Sequence, residues 1–170
     1  MHPIHLQSSH QACSEITMKE KILVSACLVG ENCRYDGKNQ KSSDILKLTK
    51  YYDLIPMCPE VSGGLKTPRR PSEIQGTKVV MDNRRDVTDN YHDGAYWASQ
   101  IVRMYHIRLA ILKEKSPSCG VHLIYDGTFS GKTIEGKGIT TRKLESMGVK
   151  VINEDEARQL LSQLEANQTK

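Results

Sequence analysis

The chain has 170 residues and a net charge of +4 at pH 7, with 38% apolar and 26% charged residues. This length fits one domain with a substantial core, and the composition is typical of a soluble globular protein. No apolar run approaches the roughly 18 to 20 residues of a membrane-spanning helix, and basic residues alternate with acidic ones, so a membrane protein and a stable nucleic-acid binder are disfavoured.

The first 18 residues contain histidines and polar side chains but no apolar segment of the secretory type. A reducing cytoplasm is therefore the expected location, and there an odd total of five cysteines favours ligands, catalytic thiols or buried residues over disulfides. Residues 1–18 are predicted to be a disordered tail and 19–170 a single domain. The alternative for the tail is a metal site with the candidate donors His2, His5, His10 and Cys13.

The first half of the domain is predicted to alternate between strands and a helix. We expect a strand at 21–28, a short helix at 42–51, a second strand at 53–57 and a brief extended run at 78–81. Ser42, Ser43 and Asp44 are candidate caps for the helix. Residues 58–76 hold three glycines and three prolines, which predicts a long irregular loop with a functional role.

The second half continues the alternation after this loop. We expect a helix at 88–106, a strand at 108–113 and an extended segment at 121–125. A helix at 139–147, a strand at 149–153 and a closing amphipathic helix at 154–166 are expected to follow. A glycine-rich loop is predicted at 126–138. Trp97 and the tyrosines between 91 and 105 have helical spacing and are interpreted as core or helix surface. The fold class that follows is α/β, a single Rossmann-like domain with a mostly parallel sheet flanked by helices.

Three cysteines, Cys27, Cys58 and Cys119, come at or shortly after the ends of apolar, strand-like runs. The carboxyl ends of parallel strands share one edge of an open sheet, where ligand sites are built from separate loops. Three thiolates can then converge. A single cysteine at a strand end is more often a small buried hydrophobic residue, so the pattern alone leaves both interpretations open.

Several motifs resemble, in order, those of the thiouracil desulfidase (TudS-like) family, and the match covers about residues 21–153. The motifs are Ser25-Ala26-Cys27-Leu28, Cys33-Arg34-Tyr35-Asp36-Gly37, Cys58-Pro59-Glu60, Gly63-Gly64-Leu65, Pro68-Arg69, Asp86-Val87-Thr88, Ser116-Pro117-Ser118-Cys119-Gly120 and Tyr125-Asp126-Gly127-Thr128-Phe129.

The resemblance implies a four-iron, four-sulfur (4Fe-4S) cluster held by three cysteines, with one iron left open. The matching positions are Cys27, Cys58 and Cys119. It also implies catalytic roles for Glu60 and Ser116. The family reaction removes sulfur hydrolytically, without net electron transfer, from a thiolated uracil base, nucleoside or nucleotide, so the expected partner is a small molecule.

These residue types suit that chemistry. Soft thiolates bind iron–sulfur clusters, and an open iron can polarise a thiocarbonyl as a Lewis acid. Glu60 could then activate water or move a proton, and Ser116 could position substrate or water. The backbone amides of Gly63, Gly64 and Gly120 are expected to approach the cluster or the ligand closely, since glycine has no side chain.

Each site residue also has a simpler interpretation. Cys33 is a fourth ligand, a sulfur relay or a structural residue, and the three-ligand pattern favours the structural role. In this interpretation Glu60 caps a helix or pairs with Arg69 instead of acting in catalysis, and Ser116 only shapes the turn before Pro117.

Charged residues near the motifs are interpreted as structural or exposed. Arg69-Arg70 is favoured as part of a solvated face, although it could meet an anionic substrate, and Arg34 with Asp36 is favoured as a salt bridge that orients the first loop. The chain departs from the family pattern at Lys66, where proline is frequent, and at Tyr91, where phenylalanine is common. These two differences leave the pocket shape and the substrate preference open.

Two rival functions remain at this point. One is a cluster-free persulfide sulfurtransferase in which Cys119 is a nucleophile of low pKa. The other is a binding protein with a zinc or other structural cysteine site. Zinc ligands usually come in closely spaced pairs, whereas the gaps between the three cysteines here are 31 and 61 residues.

Overall fold

The computed structural model describes residues 17–169, so most of the predicted tail and its candidate metal donors lie outside the described residues. The strands are β1 (Glu20–Ser25), β2 (Tyr52–Met57), β3 (Ser72–Gln75), β4 (Lys78–Met81), β5 (Leu109–Ile111), β6 (Leu123–Tyr125), β7 (Thr133–Glu135) and β8 (Lys150–Ile152). The helices are α1 (Ser43–Lys47), α2 (Pro59–Ser62), α3 (Thr88–Tyr105), α4 (Ile139–Ser146) and α5 (Glu154–Gln168). None of the helices within 17–169 is long and apolar enough to cross a bilayer.

Four strands form a parallel sheet in the order β2-β1-β5-β8. Ser25 at the end of β1 lies beside Met57 at the end of β2, and Val24 lies beside Ile111 at the end of β5. The carboxyl ends of the strands therefore share one edge. This architecture confirms the predicted α/β, Rossmann-like fold.

The sheet is covered on both faces, which is why β1 reads as a continuous apolar run instead of an alternating one. One face packs against α3 and α4 in a core that includes Leu23, Ala98, Val102, Ala110 and Leu144. The other packs against α1 and α5 in a core that includes Ile22, Val24, Ile45, Ile111 and Leu161. These two cores hold the strand ends, and the loops that follow them, in fixed positions.

Two segments predicted to be irregular contain regular structure. Within 58–76, residues 59–62 form α2 and residues 72–75 form β3, which pairs antiparallel with β4. Within 126–138, β7 pairs antiparallel with β6. Both hairpins turn at glycine-bearing segments, with Gly76 and Gly131 at positive φ. The glycines and prolines that suggested long loops therefore mark the turns and boundaries of short elements.

Candidate functional site

A cavity of about 610 Å³ opens at the carboxyl edge of the parallel sheet. Its wall includes Cys27, which follows β1, Cys58, which follows β2, and Cys119, which lies in the loop after β5. Glu60 and Ser116 line the same cavity. The structure therefore brings all five predicted site residues together around one space.

Cys33 also belongs to this cavity. Its thiol lies within hydrogen-bonding reach of Cys27 and Cys58. The contact with Cys27 raises the pKa of Cys33, and the contact with Cys58 lowers it. Burial adds to the increase, and the pKa of Cys33 is about 11. Cys58 Sγ in turn donates to the Cys33 carbonyl oxygen at 3.7 Å. The hydrogen-bonding Cys33 thiol and burial raise the pKa of Cys58 above its usual range.

Cys119 is held in a tight turn by Ser116. The Ser116 Oγ accepts hydrogen bonds from the backbone amides of Ser118 at 3.1 Å and Cys119 at 3.0 Å, so Ser116 does shape the turn. Thr141 Oγ1 donates to the Cys119 carbonyl at 3.0 Å. Burial raises the pKa of Cys119 to about 12. Burial therefore disfavours the thiolate of Cys119, which does not support the rival prediction of a thiol of low pKa.

Glu114 fixes the chain that follows this turn, and sequence reasoning missed it. Glu114 Oε1 accepts hydrogen bonds from the amides of Val121, His122 and Leu123 at 2.8, 3.0 and 3.0 Å, and Oε2 accepts one from Asn153 Nδ2 at 2.7 Å. Burial acts to raise the pKa of Glu114, but these hydrogen bonds outweigh it and lower the pKa to about 2. The carboxylate thus ties the Cys119 loop to the end of β8.

Glu60 pairs with Arg69, which is one of the simpler interpretations that the sequence suggested. Arg69 Nε donates to Glu60 Oε2 at 2.7 Å, and Arg69 Nη2 lies 2.6 Å from the same oxygen. Nη2 also donates to the Cys33 carbonyl at 2.9 Å. Burial lowers the pKa of Arg69, but the Glu60 carboxylate more than offsets this, and the pKa is raised overall.

The prediction of a solvated face at 69–70 is wrong for Arg69, whose side chain is only 6% exposed. It holds for Arg70, which is exposed and pairs with Asp82. The predicted salt bridge between Arg34 and Asp36 is confirmed, with Nη2 and Oδ2 3.1 Å apart. It fixes the loop that carries Cys33.

The predicted role of three glycine amides is wrong. The amides of Gly63, Gly64 and Gly120 donate to the carbonyls of Pro59, Val61 and Ser116, and these glycines are not part of the cavity wall. Gly63 serves packing instead, because a Cβ there would overlap the Asn90 backbone of α3. Gly94 in α3 likewise has no space for a Cβ against Pro59. This close approach of α2 and α3 positions the segment that carries Cys58 and Glu60.

Two further cavity residues, Tyr91 and Ser72, were not predicted as site residues. Tyr91 in α3 is buried, and it lines the cavity rather than serving only as core. Burial, and then the Glu60 charge, raise the pKa of its phenol. Ser72 Oγ, also at the cavity, is buried without a hydrogen-bond partner. By contrast, Trp97 is 51% exposed, which confirms that it lies on the helix surface.

The donors at this cavity are thiols, the ligand type that an iron–sulfur cluster takes. Within residues 17–169, no three His, Cys, Asp or Glu side chains are close enough to hold one metal ion, whereas a structural zinc site needs four ligands around one point. Each iron of a 4Fe-4S cluster takes its own thiolate, so the sulfurs surround a volume. Cysteines distributed around one cavity fit that requirement.

Fold and site define an α/β protein with a cysteine-lined cavity at the carboxyl edge of a parallel sheet. The model of the 2-thiouracil desulfurase family matches residues 22–156. The chain belongs to this family, as its motifs predicted.

Two relatives extend the comparison. The chain is 42% identical over 150 residues to the uncharacterized protein YbbK of Bacillus subtilis strain 168, a match that covers 82% of this chain and 99% of YbbK. The solved structure of the 4Fe-4S-dependent thiouracil desulfidase TudS is similar with a TM-score of 0.80 and 43% identity, over 87% of this chain and 99% of that one. These similarities support a desulfidase over the sulfurtransferase and the zinc protein.

Proposed function

We propose that this protein is a 4Fe-4S-dependent desulfidase that removes sulfur, as sulfide, from a thiolated uracil base, nucleoside or nucleotide. The observation that carries the proposal is the single cavity in which cysteines from separate strand ends meet an acidic and a hydroxyl side chain. Membership of the 2-thiouracil desulfurase family and the similarity to TudS support the same activity.

The proposed cluster ligands are Cys27, Cys58 and Cys119, which leave one iron without a protein ligand. When bound, the cluster supplies a Lewis acid that attracts the soft sulfur of the thiocarbonyl and makes the attached carbon more electrophilic. Cys33 is the fourth thiol at this cavity. We assign it a structural role, because the family resemblance implies three cysteine ligands and places them at the other three positions.

Glu60 is the proposed general base. Both contacts from Arg69 go to Oε2, and Oε1 is the oxygen that we assign to a water molecule. Glu60 accepts one proton from the water as the water oxygen bonds to the ring carbon. The carbon–sulfur bond then breaks as the second proton leaves that oxygen and C=O forms, and both protons depart with the sulfur as hydrogen sulfide. The reaction exchanges C=S and water for C=O and hydrogen sulfide, so no electron donor or acceptor is needed.

Ser116 is the proposed positioning group for substrate or water. Its oxygen already accepts two backbone hydrogen bonds, so its own proton remains available for donation into the cavity. In this proposal the same hydroxyl shapes the Cys119 turn and donates to substrate or water in the cavity. Thiolate ligands and a cluster also agree with the reducing, cytoplasmic location expected from the cysteine content.

The direct test is sulfide release from 2-thiouracil and from 4-thiouridine by anaerobically purified protein. We expect a brown protein with iron and acid-labile sulfide that turns over at least one of these compounds, and Cys119→Ala should be inactive. A colourless protein with full activity, or full activity in Cys119→Ala, would contradict the proposal.

A further inference from the structure

Phe129 is the only phenylalanine of the chain, and it lies in the turn between β6 and β7 at the wall of the cysteine-lined cavity. Its side chain is half-buried, yet it is not a member of the two cores that cover the sheet or of the smaller core that includes Val79 and Ile124. The mechanism above gives it no role. Packing of the protein interior therefore does not account for an aromatic ring at this position.

The backbone of Phe129 has an uncommon conformation. Its φ is 56°, in the left-handed region, which a bulky side chain rarely adopts because this conformation costs free energy. Glycine fits such a backbone without that cost, and Gly127 and Gly131 in the same turn do have positive φ. Strained residues of this kind are concentrated at ligand sites, where surrounding contacts hold them in place. The strain at Phe129 therefore indicates a function for its ring.

The contacts that hold this turn come from β3. Glu73 is only 7% exposed, and its Oε2 accepts hydrogen bonds from the backbone amides of Gly127 at 2.8 Å and Phe129 at 3.0 Å. Gln75 Nε2 donates to the Gly127 carbonyl at 2.6 Å. Burying a carboxyl group is costly unless it is hydrogen-bonded, so Glu73 and the turn amides stabilise each other. The hairpin that carries Phe129 is thereby fixed to the β3–β4 hairpin.

Building on the proposed function, we propose that the pyrimidine ring of the substrate stacks on Phe129 and that Glu73 is the residue that positions this ring platform. A thiolated uracil has a planar, conjugated ring, and an aromatic side chain binds such a face by stacking. Stacking fixes the plane of the ring and with it the plane of the carbon–sulfur bond. The proposed cluster ligands follow strands of the parallel sheet, whereas Phe129 lies on a hairpin outside that sheet, so separate parts of the fold bind ring and cluster.

The first measurement is the binding of uracil, the sulfur-free product, to the cluster-loaded wild type and Phe129→Leu by calorimetric titration. Leucine keeps the Cβ and the apolar character of phenylalanine, so the backbone strain is similar and the aromatic face is removed. We expect Phe129→Leu to bind uracil about five- to tenfold more weakly, in the lower part of the range for loss of a stacking side chain. Phe129→Tyr keeps an aromatic face and should bind uracil within about twofold of the wild type.

Binding of 5,6-dihydrouracil separates stacking from polar contacts. This compound has the N–H and carbonyl groups of uracil, but its saturated carbons pucker the ring and interrupt the conjugation. The wild type should bind it at least about fivefold more weakly than uracil, whereas Phe129→Leu should bind the two within about twofold of each other. In turnover of 2-thiouracil, Phe129→Leu should raise KM by the factor found for uracil and leave kcat within about threefold. The matched control, Tyr96→Leu, removes an exposed aromatic ring outside the cavity wall and should behave as the wild type.

A double-mutant cycle tests the positioning role of Glu73. Glu73→Ala should weaken uracil binding about threefold or more, whereas Glu73→Gln keeps an oxygen that can accept from the two amides and should bind within about threefold of the wild type. Because Glu73 acts through Phe129, adding Glu73→Ala to Phe129→Leu should weaken binding by no more than about twofold further. An additive loss would show that Glu73 contacts the ligand itself and would overturn its positioning role. If Glu73→Ala fails to fold, Glu73→Gln and the Phe129 variants carry the test.

Different results would overturn the stacking platform and the proposed function. Sulfide release by the wild type, together with unchanged uracil affinity, unchanged preference over 5,6-dihydrouracil and unchanged KM in Phe129→Leu, would overturn the role of Phe129 and leave the desulfidase intact. A fall in kcat alone in this variant would do the same, because stacking acts on binding. Failure of the wild type to release sulfide from thiouracils would contradict the proposed function, and weaker uracil binding by Phe129→Leu would then still support ring stacking.

Discussion

Arg69 holds Glu60 through a single carboxylate oxygen: Nε and Nη2 lie 2.7 and 2.6 Å from Oε2. The same guanidinium donates to the Cys33 carbonyl at 2.9 Å, so one buried side chain orients the proposed base relative to the cysteine loop. Because the guanidinium fork is what makes these simultaneous contacts, a lysine cannot replace it.

Arg69→Lys should lower kcat for sulfide release by about tenfold or more, because the positive charge is kept but the geometry of Glu60 is lost. Arg70→Lys is the matched control, since the adjacent Arg70 is exposed and pairs with Asp82. It should change kcat by less than about twofold. Equal losses in the two variants would point to a general effect on the segment instead of the orientation of Glu60.

Glu60→Gln should lower kcat by about 10²- to 10⁴-fold, the usual contribution of a general base. The amide cannot take a proton from water at neutral pH, yet it has nearly the same shape. Iron and acid-labile sulfide should stay at wild-type levels, because Glu60 is not a proposed ligand. Loss of iron together with activity would assign Glu60 to cluster binding, and retention of wild-type kcat would remove it from the mechanism.

Ser116→Ala should lower both iron content and stability, because the amides of Ser118 and Cys119 lose their acceptor. The expected loss is about 1 kcal/mol of unfolding free energy, in the range of a single hydrogen bond. Ser116→Thr keeps the hydroxyl and should restore iron content. Urea titration and iron analysis of the three proteins measure this, and a threonine variant as poor as the alanine variant would count against a hydroxyl role.

Glu114→Gln should destabilise the protein at pH 7 by about 1.5 to 3 kcal/mol, the range for hydrogen bonds to a charged group. The pKa of Glu114 falls from 4.5 to about 2 on folding. Its stabilising contribution is therefore complete above roughly pH 4.5 and is lost as the pH falls toward 2.

Urea titrations of the wild type and Glu114→Gln at several pH values check this, with cluster content measured at each pH. The difference in unfolding free energy should be constant near neutrality and shrink in acid. Glu135→Gln, at an exposed position of β7, is the control and should show no such trend. If the difference in unfolding free energy between the wild type and Glu114→Gln increased as the pH fell, the prediction would be contradicted.

The strand pattern predicted the sheet and a shared edge at which Cys27, Cys58 and Cys119 can meet, whereas the family resemblance supplied their expected role as ligands. Apolar runs identify buried strands, and parallel strands share a carboxyl edge, so residues after those runs must approach one another. The hairpins were missed because elements of three or four residues carry too little periodicity to stand out among glycines and prolines.

The supporting residues could not be predicted because their roles depend on contacts across long stretches of chain. Glu114 lies between two lysines and resembles a surface charge, yet it binds amides up to nine residues away and the Asn153 side chain. Arg69 was interpreted as exposed for the same reason, because one of its partners, the Cys33 carbonyl, is 36 residues away along the chain. Ser72 reaches the cavity only because of the β3–β4 hairpin, which was itself missed.

The ligand set is best tested by iron analysis of four single variants purified without oxygen. Cys27→Ser, Cys58→Ser and Cys119→Ser remove proposed ligands, whereas Cys33→Ser changes the remaining thiol of the same cavity. We predict that the first three lose most of the iron and acid-labile sulfide and that Cys33→Ser retains both. Loss from Cys33→Ser as complete as from the others, or retention in any of the three, would contradict a cluster held by three cysteines with one open iron.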